Sequence, residues 1–227
     1  MRNVVFFLLL SACNSTPTDI NYTSTIKEQT YTNISTIRYD PCPDDMVYIN
    51  RKAHSFCIDR YEAPDQKGVF PISAINAHEA ENLCASVNKR ICLYDEWYNA
   101  CVGRNNLRYS YGNSYVAERC NDSKTGWVRP KWELMSTPNW KTYAKTLYKA
   151  DKSGSHPLCK SDEGVYDLLG NVREWTKDPK SQYGYVIPAS YFYGTMTGDL
   201  SCNYVIKNHF ASFGSYEFGA RCCKDIR

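Results

Sequence analysis

The sequence predicts an irregular α+β domain stapled by disulfides, and three observations carry that expectation. Eleven cysteines occur in 227 residues; setting Cys13 aside leaves an even ten in a chain that opens with an export-type segment. They read as five disulfides rather than a zinc site, since there is no Cys-x-x-Cys pair and the four histidines are scattered. Helical periodicity is confined to two short stretches, and the rest breaks into short β-like pieces separated by turns.

Taken in order, Met46 to Ile49 and Phe56 to Tyr61 read as short strands. Asn76 followed by Glu79 is a capping-box-like helix start. Ala80, Leu83, Cys84 and Val87 then recur on one face. A second short helix spans about residues 95–102, presents Trp97, Ala100 and Cys101, and stops at Gly103. Leu93 and Tyr94 stand where its N-cap belongs, so its start is weakly specified.

The densest stretch runs from Gly164 to Trp175, with two glycines, two carboxylates and two aromatics in twelve residues. Gly170-Asn171 is a turn signal, because glycine inside a helix costs about 1 kcal/mol relative to alanine. Wrapping that turn brings Asp167 and Glu174 together, with the carbonyls of Gly170 and Val172 between them. Carboxylate and main-chain oxygens are the ligands a hard cation such as calcium takes. The same spacing also suits a tight hairpin with solvated charges, and on spacing alone both readings stand.

The N-terminus addresses compartment. Arg2 precedes an apolar run from Val4 to Leu10, too short to span a bilayer, which needs about 20 residues. Leu10, Ser11, Ala12 and Cys13 resemble the lipobox of bacterial lipoproteins; an ordinary secretory signal is the alternative. The resemblance implies a signal peptide over residues 1–12, lipid on Cys13, and a place in the bacterial cell envelope, anchored to a membrane. Asn14 rather than Asp after the cysteine points to the outer membrane or cell surface. Residues 13–41 form a Thr/Asn-rich tether that cannot bury enough apolar surface to offset ordering entropy, and residues 42–227 are one domain's worth of chain.

Formal charge is only +3, which gives no reason to expect a nucleic-acid partner. Nineteen Tyr and five Trp suit either a protein- or glycan-facing surface or a β-rich core. His54, His78, His156 and His209 read as surface or satisfied-core residues rather than as bases or ligands, and no nucleophile-elbow pattern occurs.

Several of these pieces resemble the formylglycine-generating enzyme, or sulfatase-modifying factor, family. Residues 56–63 are similar to its opening strand, and residues 76–97, with Ala80, Cys84, Lys89, Arg90, Asp95, Glu96 and Trp97, to its helix-loop-helix signature. Tyr109 to Gly112 resembles its aromatic-Gly turn, residues 164–178 its most diagnostic motif, and Gly219 to Cys222 its closing strand. The resemblance covers about residues 42–224 in order. It implies a C-type-lectin-like fold, structural calcium at Asp167, Gly170, Val172 and Glu174, and a lectin-like or peptide-binding face. It also implies disulfides Cys84–Cys222 and Cys101–Cys202; the remaining six cysteines are assigned as Cys42–Cys57, Cys120–Cys159 and, by elimination, Cys92–Cys223. A further calcium site of the family begins at a position matching Asn121, with its other ligands unassigned.

The sequence departs from the family where the chemistry lies. Family enzymes hold copper with two cysteines five apart, and soft thiolates are what Cu(I) requires. With Cys202 matched to the family's structural cysteine, those positions hold Phe192 and Thr197. Three functions remain open. The first is a non-catalytic binding module for a protein or glycan ligand, with Tyr191, Tyr193, Tyr204 and Tyr216 on its C-terminal face. The second is an active formylglycine-type oxidase acting on a sulfatase cysteine. The third is a retroelement-diversified display protein, with the variable set extending over Phe192, Asn203, His209, Ser212, Phe213 and Ser215, residues that make adaptable contacts.

Overall fold

Short apolar runs bounded by turns pair into two small sheets. The computed structural model describes residues 41–122, 124, 130–188 and 200–226. The first sheet has the order β1 (Met46–Ile49), β2 (Phe56–Asp59), β8 (Cys222–Asp225), β3 (Arg90–Ile91), all antiparallel. The second has the order β6 (Val205–Ile206), β5 (Tyr185–Pro188), β4 (Arg173–Lys177), β7 (Phe218–Ala220). In it β4 and β7 run parallel, with Arg173 opposite Phe218 and Trp175 opposite Ala220. The last strands of the chain thus close both sheets, which makes the fold dependent on contacts of long sequence separation.

Helix α1 (Ala77–Ser86) starts where its cap chemistry requires. The Asn76 side chain accepts from Glu79 N at 2.9 Å and the Glu79 carboxylate accepts from Asn76 N at 3.0 Å, a pairing worth about 1 kcal/mol. Helix α2 (Tyr94–Val102) begins at Leu93, which has no polar side chain to cap it. Its Glu96 accepts from Leu93 N at 2.8 Å instead, and Arg90 grips the same carboxylate at 2.7 and 2.6 Å. An arginine from the neighbouring strand thereby orients the acid that starts the helix.

Two more helices, beyond the two expected, lie in the stretch between Asn121 and Cys159: α3 (Trp132–Met135) and α4 (Trp140–Leu147). Trp140, Ala144 and Leu147 follow i, i+4, i+7 spacing and pack with Val172 and Tyr216. The stripe is short and its flanks are polar, so it stands out little in the sequence. Two larger clusters make up the rest of the core, one around Phe56, Ile58, Trp97, Leu168 and Leu169, the other around Trp175, Ile187, Phe218 and Ala220.

Five disulfides tie these layers together, the same pairs as set out above: Cys42–Cys57, Cys84–Cys222, Cys92–Cys223, Cys101–Cys202 and Cys120–Cys159. Consecutive Cys222 and Cys223 point to opposite sides of β8, one to α1 and one to the end of β3, as strand alternation demands. Three bridges close loops of more than 100 residues, where constraint of the unfolded chain is greatest.

Candidate binding site

Strand β4 carries two consecutive charged residues whose side chains leave on opposite faces, Arg173 and Glu174. The turn before it sets their height. Asp167, Gly170 and Asn171 all have positive φ, 55°, 80° and 53°, so the chain reverses tightly there. Glycine is needed at 170 for a second reason: a Cβ would lie 2.6 Å from the Asn121 carbonyl oxygen. Asn171 locks the turn by donating from its backbone to Asn121 O (2.9 Å) and from its amide to Glu62 (2.7 Å). Glu62 also accepts from Val172 N at 3.1 Å and from the Ser153 hydroxyl at 3.0 Å.

Inward from this turn the charges are buried, so the hairpin with solvated charges is not what forms: Asp167 and Glu174 are each 2% exposed. One Glu174 oxygen accepts from Arg221 at 2.9 Å through Nε and faces its NH2 at 2.7 Å. The other accepts from the Trp97 indole at 2.6 Å. Arg221 completes its fork on the carbonyls of Asp59 and Tyr166. Asp167 accepts from Gly154 N at 2.6 Å. Burial pushes the Asp167 carboxyl up to about 6, against the opposing pull of the Gly154 N–H and Arg221. Burial, with Asp167 and Glu174 nearby, also holds Glu62 well above the usual carboxylate range.

This arrangement does not fit the expected calcium ligand set as it stands. Both oxygens of Glu174 are committed to Arg221 and Trp97, so the charge opposite that carboxylate is a guanidinium. Among the described residues, the one group of three His, Cys, Asp or Glu side chains with ligand atoms gathered closely enough for a metal is His54, Glu96 and Asp225. Arg90 bridges that group internally.

Outward from the same strand lies a cavity of about 290 Å³. Arg173, Tyr204, His209, Phe213, Ser215 and Tyr216 line it, with Glu217 and Phe218 behind and Pro130 and Trp132 at the side. Arg173 is 4% exposed and lies 5.3 Å from the Tyr204 ring centroid, cation over face. The His209 ring stacks on Phe213 at 4.2 Å and 8°, and its pKa is held down by burial and by Arg173. The Ser215 hydroxyl donates to Glu217 at 2.6 Å, whose carboxyl burial raises. Flat rings, one guanidinium and one hydrogen-bonded acid form a wall with an apolar body and a few placed polar groups, the usual make-up of a ligand site.

Of the residues expected on this face, Tyr204, His209, Phe213, Ser215 and Tyr216 line the cavity. Asn203 does not: its side chain accepts from the Tyr98 hydroxyl at 3.1 Å. Tyr191, Phe192, Tyr193 and Cys13 lie outside the described residues. Sequence reasoning missed Arg173, Glu217 and Trp132. Arg173 was available from strand alternation, since it precedes two residues of the buried motif. Trp132 comes from the 121–158 insertion, and only the fold brings it to this face. Glu62, the hub beneath the turn, follows β2 in a stretch that also carries Asp59 and Arg60, so no local signal set it apart.

The sequence profile of the Sulfatase-modifying factor enzyme 1-like domain matches residues 16–224. This chain belongs to that family. Among solved structures it is similar to CarF, at 15% identity over 76% of this chain and 87% of CarF, with a TM-score of 0.55. It is also similar to Treponema denticola variable protein 1, at 12% identity over 81% of this chain and 92% of that one, with a TM-score of 0.53. At such identities the likeness concerns the fold. No curated protein matches the sequence. The copper that family enzymes use does not fit the cysteines described here: all ten from Cys42 to Cys223 are in disulfides, and a disulfide offers no thiolate.

Proposed function

We propose that this member of the sulfatase-modifying factor family is a non-catalytic binding module. It takes a protein or glycan ligand in the cavity beside Arg173, and the lipid on Cys13 and the residue 13–41 tether hold it at the bacterial envelope. The observation that carries this reading is the cavity itself: aromatic rings at Tyr204, Phe213 and Trp132 surround Arg173 and Glu217. Engagement of all ten domain cysteines in disulfides supports the absence of catalysis. The test has two arms. A sulfatase-motif peptide incubated with the protein, copper and oxygen should show no formylglycine mass change. A glycan array and an envelope-protein panel should yield a ligand whose binding Tyr204→Ala weakens at least tenfold, while thermal unfolding stays nearly unchanged. Turnover that depends on a cysteine of this chain overturns the reading, as does binding indifferent to Tyr204. Cys13→Ser should release the protein from the membrane fraction.

A second reading, a diversified display surface, draws on the fold likeness to a protein named as variable and on the aromatic and small polar residues at 203–216. Sequencing related isolates separates the two. Diversification concentrates substitutions at residues 191–216, whereas a fixed ligand leaves the cavity residues constant.

A further inference from the structure

A second cleft lies between residues 70–74 and helix α4, apart from the cavity beside Arg173. We propose that it binds one amphiphilic anion, a monomeric long-chain carboxylate. The cleft measures about 450 Å³ and is lined by Phe70, Pro71, Ile72, Ser73 and Ala74 on one side and by Lys141, Lys145 and Tyr148 on the other. Its volume lies in the range that encloses a small ligand.

Its floor suits an apolar tail. The Tyr148 hydroxyl already donates to Pro71 O at 2.8 Å, so a hydrocarbon chain laid on that ring leaves its donor met. Phe70 is 51% exposed at the lip and meets the Tyr148 ring edge-on at 6.1 Å. An exposed phenyl over an apolar slot leaves surface that a ligand tail can cover.

Its rim suits an anionic head. Lys141 and Lys145 are one turn apart on α4, so both ammonium groups edge the same slot. Lys141 is tied to Glu79 at 2.5 Å. Lys145 is exposed and makes no ion pair among the described residues. On the opposite lip Lys152 stands 5.8 Å from the Phe70 ring centroid. The nearby acids are already matched: Glu79 by Lys141, Asp151 by Lys124 and His156, and Glu62 within the turn network. The wider charge follows the same pattern, since residues 123–160 carry eight Lys or Arg against only Glu133 and Asp151, in a chain whose formal charge is +3. The excess of positive charge is therefore local to the segment that supplies one wall of the cleft.

Calorimetric titration of the full chain with dodecanoate, kept below its micelle concentration, tests the proposal, with dodecanol as the uncharged control. One saturable site is expected. Lys145→Glu should weaken dodecanoate about tenfold and leave dodecanol unchanged, as loss of one rim charge predicts. Phe70→Ser should weaken both. Both positions are exposed, so the variants should keep the wild-type melting transition. Tyr204→Ala, in the other cavity, should leave dodecanoate binding intact, which keeps this outcome separate from that of the proposed function. No saturable binding, or equal binding by Lys145→Glu, overturns the proposal. So does association with phosphatidylglycerol vesicles that dodecanoate fails to compete, which would assign the basic rim to a bilayer surface instead.

Discussion

Arg173 and Glu174 are neighbours on one strand and sit in opposite kinds of chemistry. Glu174 faces inward, where Arg221 and Trp97 use both of its oxygens and Arg221 spends the rest of its fork on two carbonyls. Arg173 faces a cavity lined mostly by rings, with Ser215 and Glu217 among them. The inner face is a closed network in which each group has its partner, so removing one member leaves a buried charge exposed to its full desolvation cost. The outer face leaves ring surface uncovered, and removing one ring there costs contact area and at most a single cation–π contact. Stability should therefore belong to one face and recognition to the other.

The largest effect tests the inner face. Arg221→Leu leaves the Glu174 carboxylate buried without its cation and should destabilise the fold by about 3–5 kcal/mol in denaturant unfolding. A smaller loss would mean that another cation, such as calcium, compensates. In the wild-type protein, chelator should leave the melting temperature unchanged; a clear fall would place a metal at Asp167 and Glu174 after all.

Gly170→Ala comes next. The residue has φ +80° and no room for a Cβ beside Asn121 O, so the variant should lose about 1–3 kcal/mol through backbone strain. The same substitution at Gly184, where a Cβ would meet nothing within 4 Å despite φ +75°, should cost less. Equal losses at both sites would reduce the packing of the turn on Asn121 to mere conformational preference.

The pH dependence separates the two faces more finely. Asp167 titrates near 6 in the fold because burial disfavours its charge, against an ordinary value of 3.8. The folded protein holds that proton more tightly than the unfolded chain does. The resulting stabilisation is therefore complete below about pH 4 and lost as pH rises through about 6, with a slope of at most about 1.4 kcal/mol per pH unit. Asp167→Asn should flatten the unfolding free energy relative to wild type across that window. A difference that does not vary with pH would place the proton elsewhere in the network.

The smallest stability effect belongs to the outer face. Tyr204→Ala removes one cation–π contact and should cost about 0.5–1 kcal/mol, while weakening capture of the proposed ligand. A loss comparable to that of Arg221→Leu would show that the cavity wall is structural core.

Much of the inner face was legible in the residues. Gly170-Asn171 declared a turn, Asn76 with Glu79 declared the start of α1, and an even count of ten cysteines from Cys42 to Cys223 declared disulfides. Each is a local or counting signal whose physics acts within a few residues. The residues also showed that Asp167 and Glu174 would be brought close together, yet not what would meet them. Arg221 lies 47 positions from Glu174 and Glu62 lies 109 from Asn171, and no local period encodes such a meeting. The spacing of two carboxylates is equally compatible with a metal, a guanidinium or water.

By itself, then, the sequence determined the elements, the turn and the aromatic character of the C-terminal stretch, because propensity, capping and left-handed backbone are properties of short segments. It also determined that no cysteine lies between Lys160 and Ser201. Only the tertiary structure decided which face of β4 closes and which stays open. Burial depends on what packs from afar, and it was the return of β7 and β8 at the end of the chain that brought Arg221 to Glu174 and left Arg173 among the rings.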